Sequence, residues 1–284
     1  MDKVTWFDSE LSKLVVEPRR LVQGINKDML DGSLLHFLPP KSEIIFLNGN
    51  REFARGSYGI FYKCHIVGVD FIPRHEEYAC KAFITLVERN AITTMNMEAM
   101  NCPLIHPLFI KLFAIHPTKA HGYMRWWNAG TLRSMVNKCN KKSSIAPGVD
   151  EENVKLFQRL RIRLSWHFLH GMLFLYKNGS IHCDLSPDNI LLHREGDNMY
   201  IGVCDWGLAC RIDFPHQSNY LYQSQRELDR DRMRRPWVDP SLMSLYGSEV
   251  AQFSLATDVY VTLKLALWII GSSAPEIGIS NVDF

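Results

Sequence analysis

Short runs of apolar residues, broken by small and polar ones, fill the stretch from Glu43 to Trp127. IIFL (44–47), IFYKCHIV (60–67) and YACKAFI (78–84) read as strands, with turn residues such as Gly56-Ser57 and Gly68 between them. Phe109–Ile115 and Gly122–Trp127 read as further strands, and Met95–Met100 as a helix. After Asn128-Ala129-Gly130 the period lengthens. Val154, Phe157, Leu160, Leu164, Phe168, Met172 and Leu175 recur at helical spacing, which predicts a long helix over Glu152–Tyr176. NILLH (189–193) and YIGVCD (200–205) then read as two strands joined by the turn EGDN. Residues 210–236 are polar and arginine-rich, and Leu255–Ile270 is helical again. Residues 1–44 show no sustained period and read as an extension with room for one helix. A β-rich first part, a short hinge and an α-rich second part predict an α+β, two-lobed design.

Composition narrows the class without naming a function. The 284 residues are 46% hydrophobic and 22% charged, which excludes disordered and fibrous chains. The net charge of +2 provides no global field to recruit nucleic acid, so any polyanion must be met at a local site. The seven cysteines are odd in number and contain no Cys-x-x-Cys pair, which predicts reduced, mostly buried thiols. The N-terminus lacks an apolar signal region, and Val259–Ile270 is too short to span a bilayer and carries Lys264. A cytoplasmic or nuclear protein with no membrane and no nucleic-acid partner is expected.

One segment carries chemistry. In Ile181-His182-Cys183-Asp184-Leu185-Ser186-Pro187-Asp188-Asn189, an acid is followed five residues on by a carboxamide. Asp205 comes sixteen residues later, after a hydrophobic run. An acid to take or orient a hydroxyl proton, with two oxygen ligands for cations, is what phosphoryl transfer requires. Acids in apolar surroundings need a partner or a metal.

These motifs resemble the protein kinase superfamily. HCDLSPDN stands where H-R-D-L-x-x-x-N stands, and Asp205-Trp206-Gly207 where D-F-G stands. Upstream, Ala54-Arg55-Gly56-Ser57-Tyr58-Gly59-Ile60-Phe61 resembles the glycine-rich loop, and Tyr78-Ala79-Cys80-Lys81-Ala82 resembles V-A-I-K. Glu98 follows Lys81 by seventeen residues, and His106-Pro107 and Ile110-Lys111-Leu112 continue the pattern. Trp237-Val238-Asp239-Pro240-Ser241 resembles the segment ending in A-P-E, and Thr257-Asp258-Val259-Tyr260 the start of the buried helix after it, whose Asp ties back to the catalytic loop.

The resemblance implies a two-lobed kinase fold over 43–284, with the N-lobe at 43–124, hinge at 125–130 and C-lobe at 131–284, leaving 1–42 as an extension. It implies ATP and Mg²⁺ as cofactors and a protein substrate phosphorylated on Ser or Thr. Asp184 is then the catalytic base, with Lys81 and Asn189 completing the catalytic set. Ala54, Gly56, Ser57, Gly59, Phe61, Lys81, Glu98, Met124 and Trp126 fall to ATP, and Asn189 and Asp205 to the metal.

Departures from the pattern keep two alternatives open. Cys183 replaces the Arg that in many kinases grips a phosphorylated activation loop, and a neutral thiol cannot pair with phosphate. Ser186 stands at a usual Lys, Ser241 at the Glu of A-P-E, and Ala54 at the first loop glycine. The chain stops at Phe284, where kinases continue for several helices, so the C-lobe reads as truncated. A pseudokinase that binds nucleotide or partners is one alternative. A small-molecule phosphotransferase of the aminoglycoside or choline kinase type, which often carries D-W, is the other. His167 and His170 have a spacing used by zinc sites, but no third ligand accompanies them and they read as packing or surface residues. Trp126-Trp127 read as hinge or core residues rather than a nucleic-acid stacking platform, and RELDRDRMRR (226–235) as a self-paired solvated loop.

Overall fold

A computed structural model describes residues 36–39, 41–47, 49, 51–56, 59–69, 76–84, 91–101, 106–140, 149–212, 237 and 254–271. It is α+β and divides into two compact units, Met1–Met100 with Leu104–Trp126, and Asn101–Pro103 with Trp127–Phe284.

The first unit is a seven-stranded sheet: β1 (His36–Phe37), β2 (Glu43–Phe46), β3 (Ala54–Arg55), β4 (Gly59–Val67), β5 (Tyr78–Phe83), β6 (Ala114–Ile115) and β7 (His121–Arg125). The order is β1-β6-β7-β5-β4-β2, with β3 pairing β4 off this path. Every pairing is antiparallel except that of β1 with β6. β4 buries Cys64 and Ile66 in alternation, as a strand with one covered face should. β5, between β4 and β7, is buried at five of six positions, including four in succession, and so is covered on both faces. Leu38, Cys64, Ile66, Tyr78, Cys80 and Tyr123 meet in its core. Helix α1 (Ala91–Asn101) completes the unit's named elements and buries Met95 and Glu98, three apart on one face.

Two expectations need adjustment here. The strand expected over Phe109–Ile115 is only Ala114–Ile115. Leu108, Phe109, Ile110 and Leu112 are all buried, three of them in succession, and the Phe109 amide bonds back to the His106 carbonyl in a turn. Continuous burial there marks a packed coil rather than a pleated ladder. Conversely, the aperiodic first stretch contributes β1, and Leu38 beside it is core. Residues 1–35 lie outside the described residues.

In the second unit the long helix, labelled α3 (Glu151–Lys177), follows α2 (Leu132–Asn140). Asp150 caps α3 by accepting the Asn153 amide at 2.7 Å, and Glu151 and Glu152 favour its positive end. Its buried stripe includes Phe157, Leu164, Phe168, Met172 and Leu175, close to the predicted set. β8 (Ser180–Ile181) pairs with β11 (Cys210–Arg211), and β9 (Ile190–Glu195) with β10 (Asn198–Val203) around the predicted turn. Helix α4 (Leu255–Ile270) opens on a capping box between Ser254 and Thr257 and closes on Gly271 at φ 103°. The Ser165 hydroxyl donates to the Ala266 carbonyl at 3.1 Å, joining α3 to α4. Arg194 of β9 bonds Glu152 and Asn153 on α3, and its backbone exchanges bonds with the Asn128 carboxamide.

Four of the six described cysteines are buried and none is in a disulfide, in line with the expected thiols. Among the described residues no helix is long and apolar enough to cross a membrane. His167 is half-buried and His170 exposed on α3. RELDRDRMRR and Ser241 lie outside the described residues, and of WVDPS only Trp237 lies within them, its ring 5.0 Å from that of Trp268.

Candidate active site

In the first unit the site is built on β4, β5 and α1. The Gly56 amide bonds the Gly59 carbonyl at 2.9 Å, closing the turn that leads from β3 into β4. Gly59 is a steric requirement. A Cβ there would stand 2.9 Å from Lys81 Cγ and 3.2 Å from the Ala82 carbonyl, so any side chain would displace the lysine beneath it. Lys81 Nζ lies 2.5 Å from Glu98 Oε2, and the two side chains are only 2% and 4% exposed. Phe83 and Phe61 flank the ammonium at 4.9 and 5.6 Å from their ring centres. A charge buried this deeply needs its counter-charge and aromatic faces to be tolerated.

Met124 is buried on β7, paired in register with Ala79. Trp126 is half-buried just past β7, its ring edge-on to Phe53 at 4.6 Å and under Lys63 Nζ at 5.1 Å. Ala54 is exposed, and Ser57 lies outside the described residues.

In the second unit the loop from His182 to Asn189 is held from behind by α4. Asp258, buried, accepts the backbone N–H groups of His182 and Cys183, each at 2.9 Å. The Tyr176 hydroxyl donates to the same carboxylate at 3.3 Å. Burial raises the Asp258 pKa above the ordinary carboxylate value, and the neighbouring His182 and these donors oppose that rise. This is the tie that the resemblance implied.

His182 Nε2 lies 3.0 Å from the Cys204 carbonyl, and its Nδ1 accepts the Asp184 amide at 3.2 Å. Those two partners select the tautomer with the proton on Nε2. The Trp206 ring, 1% exposed, packs 4.7 Å from the imidazole. The Asn189 carboxamide NH₂ donates to the Asp184 carbonyl at 2.7 Å and to its carboxylate Oδ2 at 3.1 Å. The Asn189 carbonyl in turn accepts the Cys204 amide at 2.9 Å, binding the loop to the strand end that precedes Asp205.

Two non-glycine residues have left-handed backbones here, Cys183 at φ 65° and Asp205 at φ 67°. Such conformations cost energy and persist where surrounding bonds over-determine them. Cys183 directly precedes the candidate base Asp184, and Asp205 is itself a candidate metal ligand. The Asp205 carboxylate and Asn189 carboxamide oxygen are hard donors of the kind Mg²⁺ takes together with substrate phosphates, so the residue types present fit that ion.

The structure thus pairs Lys81 with Glu98 in one unit and Asp184 with Asn189 in the other. It also adds partners that no motif announced. Arg133 on α2 makes a two-oxygen contact with Asp188 at 2.8 and 2.7 Å, across 55 residues of sequence. Phe83 and Tyr176 join the set as well. Phe83 was marked in the sequence only as an apolar position of a strand, and Tyr176, half-buried at the end of α3, lies just outside the apolar stripe that ends at Leu175.

Comparison with known proteins agrees with this geometry. A family model described as the protein kinase domain matches residues 49–266, and the chain belongs to that family. Among curated proteins it is similar to the serine/threonine-protein kinase RUNKEL of Arabidopsis thaliana, 26% identical over 141 residues, covering 49% of this chain and 9% of that protein. It is similar to the tyrosine-protein kinase hopscotch of Drosophila melanogaster, 26% identical over 253 residues, covering 83% of this chain and 19% of the relative. The serine/threonine-protein kinase PLK4 of Xenopus laevis is 23% identical over 175 residues, covering 59% and 16%. The chain therefore spans well under half the length of these relatives.

Proposed function

We propose that this chain is an ATP-dependent protein kinase of the cytoplasm or nucleus that transfers a γ-phosphate to Ser or Thr hydroxyls of a protein substrate. The observation that carries the reading is the Asp184–Asn189 arrangement. A carboxylate is presented on a loop anchored by Asp258, with the carboxamide donating to it at 3.1 Å. Asp184 accepts the substrate hydroxyl proton as that oxygen attacks the γ-phosphorus and the bond to the β-phosphate oxygen breaks. Asn189 and Asp205 are the residues that would hold Mg²⁺, which when bound would neutralise charge on the phosphoryl oxygens. Lys81, oriented by Glu98, contacts the α- and β-phosphates, and the backbone around Gly56 and Gly59 allows the phosphates close approach. Two of the three relatives named above are called serine/threonine kinases, which supports that acceptor class over tyrosine.

The test is transfer from ATP labelled on its γ-phosphate, with Mg²⁺, to a generic basic protein and to the chain itself. The reading expects label on Ser or Thr, reduced about 100-fold or more in Lys81→Met. Label on Tyr alone overturns the acceptor class. Nucleotide binding with no transfer identifies a pseudokinase, and transfer only to a small alcohol or amine identifies the aminoglycoside or choline kinase type.

A further inference from the structure

Cys183 and Cys210 stand 27 residues apart in sequence, yet their sulfurs are 3.6 Å apart. Both are buried, at 4% and 8% exposure, in a small apolar cluster with Ile181, bordered by Tyr176, Leu208 and Ile212. The backbones that carry them are fixed. Cys210 sits on β11 opposite Ile181 of β8, and the Ile212 amide extends that pairing to the Gly179 carbonyl at 2.8 Å. Cys183 is pinned through its own amide to Asp258.

We propose that Cys183 and Cys210 form an oxidisable dithiol, closed to a disulfide by a peroxide, which ties the loop bearing Asp184 to the strand that follows the Asp205 turn. The sulfurs need to close by roughly 1.5 Å to reach a bond of about 2.05 Å, a shift within the reach of side-chain rotation and small backbone adjustment. The reading of the chain as a kinase is not a premise of this inference.

The chemistry divides the two sulfurs into attacker and resolver. The hydrogen bond from Cys183 brings the Cys210 thiol below its ordinary pKa, with burial opposing. The same bond, then burial, then the nearby Asp258 charge, pushes the Cys183 thiol up. Cys210 is therefore the better thiolate. Its sulfur attacks one peroxide oxygen, the O–O bond breaks, and Cys210 becomes a sulfenic acid as hydroxide leaves and takes up the thiol proton as water. The Cys183 sulfur then attacks the Cys210 sulfur, and its proton leaves with the departing hydroxyl as a second water. Two thiols are oxidised and one hydrogen peroxide is reduced to two waters, in balance. A dithiol reductant reverses the step. Cys64 and Cys80 are poor competitors, because burial in the sheet raises both pKa values, Cys64 to about 12. The Cys204 thiol points at the Asn189 carbonyl at 3.4 Å.

The test treats the reduced full chain with hydrogen peroxide, blocks remaining thiols with N-ethylmaleimide, and maps tryptic peptides by mass. The expected product is a link between peptides 178–194 and 195–211, lighter by two hydrogens than their sum. It should vanish on reduction, with fragmentation placing the second sulfur at Cys210 rather than Cys204. Cys210→Ser should lose the link while its near-ultraviolet circular dichroism matches the wild type. The wild-type map stands alone if that variant does not fold. Maleimide on both Cys183 and Cys210 after peroxide, a link to Cys204, or Cys210 carried to sulfinic acid with Cys183 still blocked by maleimide would each overturn the proposal.

Discussion

The two units hold their functional groups by different means. In the first, a side chain is fixed by a side chain: Lys81 on a strand meets Glu98 on a helix, both nearly fully buried. In the second, a loop is fixed through its backbone: Asp258 on α4 grips the N–H groups of His182 and Cys183, and Asp184 rides on the chain so held. The first arrangement depends on charge, the second on hydrogen-bond count and burial. They should therefore fail differently when one member is removed.

The largest effect falls on the ion pair. Glu98→Ala leaves the Lys81 ammonium buried without its carboxylate and should cost about 3–5 kcal/mol, read by urea denaturation. Replacing both partners with apolar residues should recover much of that loss, because the stranded charge goes too. If the single variant costs no more than the double, charge is not what holds the first unit's site. Next comes Asp258→Ala, which orphans two buried amides, leaves the Tyr176 hydroxyl only its Thr262 partner, and should cost about 2–4 kcal/mol. Asp258→Asn keeps one acceptor oxygen and should cost less. Equal losses for the two substitutions would refute the hydrogen-bond account of the second unit.

Smaller effects sharpen the contrast at the surface. Arg133 and Asp188 are 32% and 52% exposed, so Arg133→Ala should cost under about 1 kcal/mol and the difference should shrink in high salt. The smallest effect is a pH slope in the first unit. His116 and His121 have pKa values lowered by burial, with the Lys119 charge adding to it. The folded state then binds fewer protons than the unfolded chain between the depressed folded values and the unperturbed value of about 6.5. Stability should be full above that unperturbed value and fall as pH drops below it. The His116→Gln, His121→Gln double variant should flatten the slope in melting temperature against pH, and an unchanged slope would assign it elsewhere.

Much of this was legible in the chain. The helical stripe from Val154 to Leu175 predicts α3 because a 27-residue helix repeats its period often enough to stand out. The catalytic-loop motif is legible because its spacing follows one tight turn, and Lys81–Glu98 because strand and helix are short and successive. What could not be read has a common cause. β1 has two residues, too few for any period. The run from Leu108 to Leu112 is buried without a ladder, so apolar character alone mimics a strand. Arg133 with Asp188, and Cys183 with Cys210, meet only because the chain returns after 55 and 27 residues. No local pattern encodes those returns. Asp258 is the instructive middle case: resemblance implied its tie to the loop, and geometry identified the two amides it holds.

The central claim is that the loop anchored by Asp258 carries phosphoryl transfer through Asp184. Single-turnover transfer of labelled γ-phosphate, compared between the wild type and Asp184→Asn at equal nucleotide occupancy, tests it most directly. The account predicts a rate lower by about 100-fold or more in the variant, with melting temperature and nucleotide affinity little changed. Equal rates in the two proteins would contradict it.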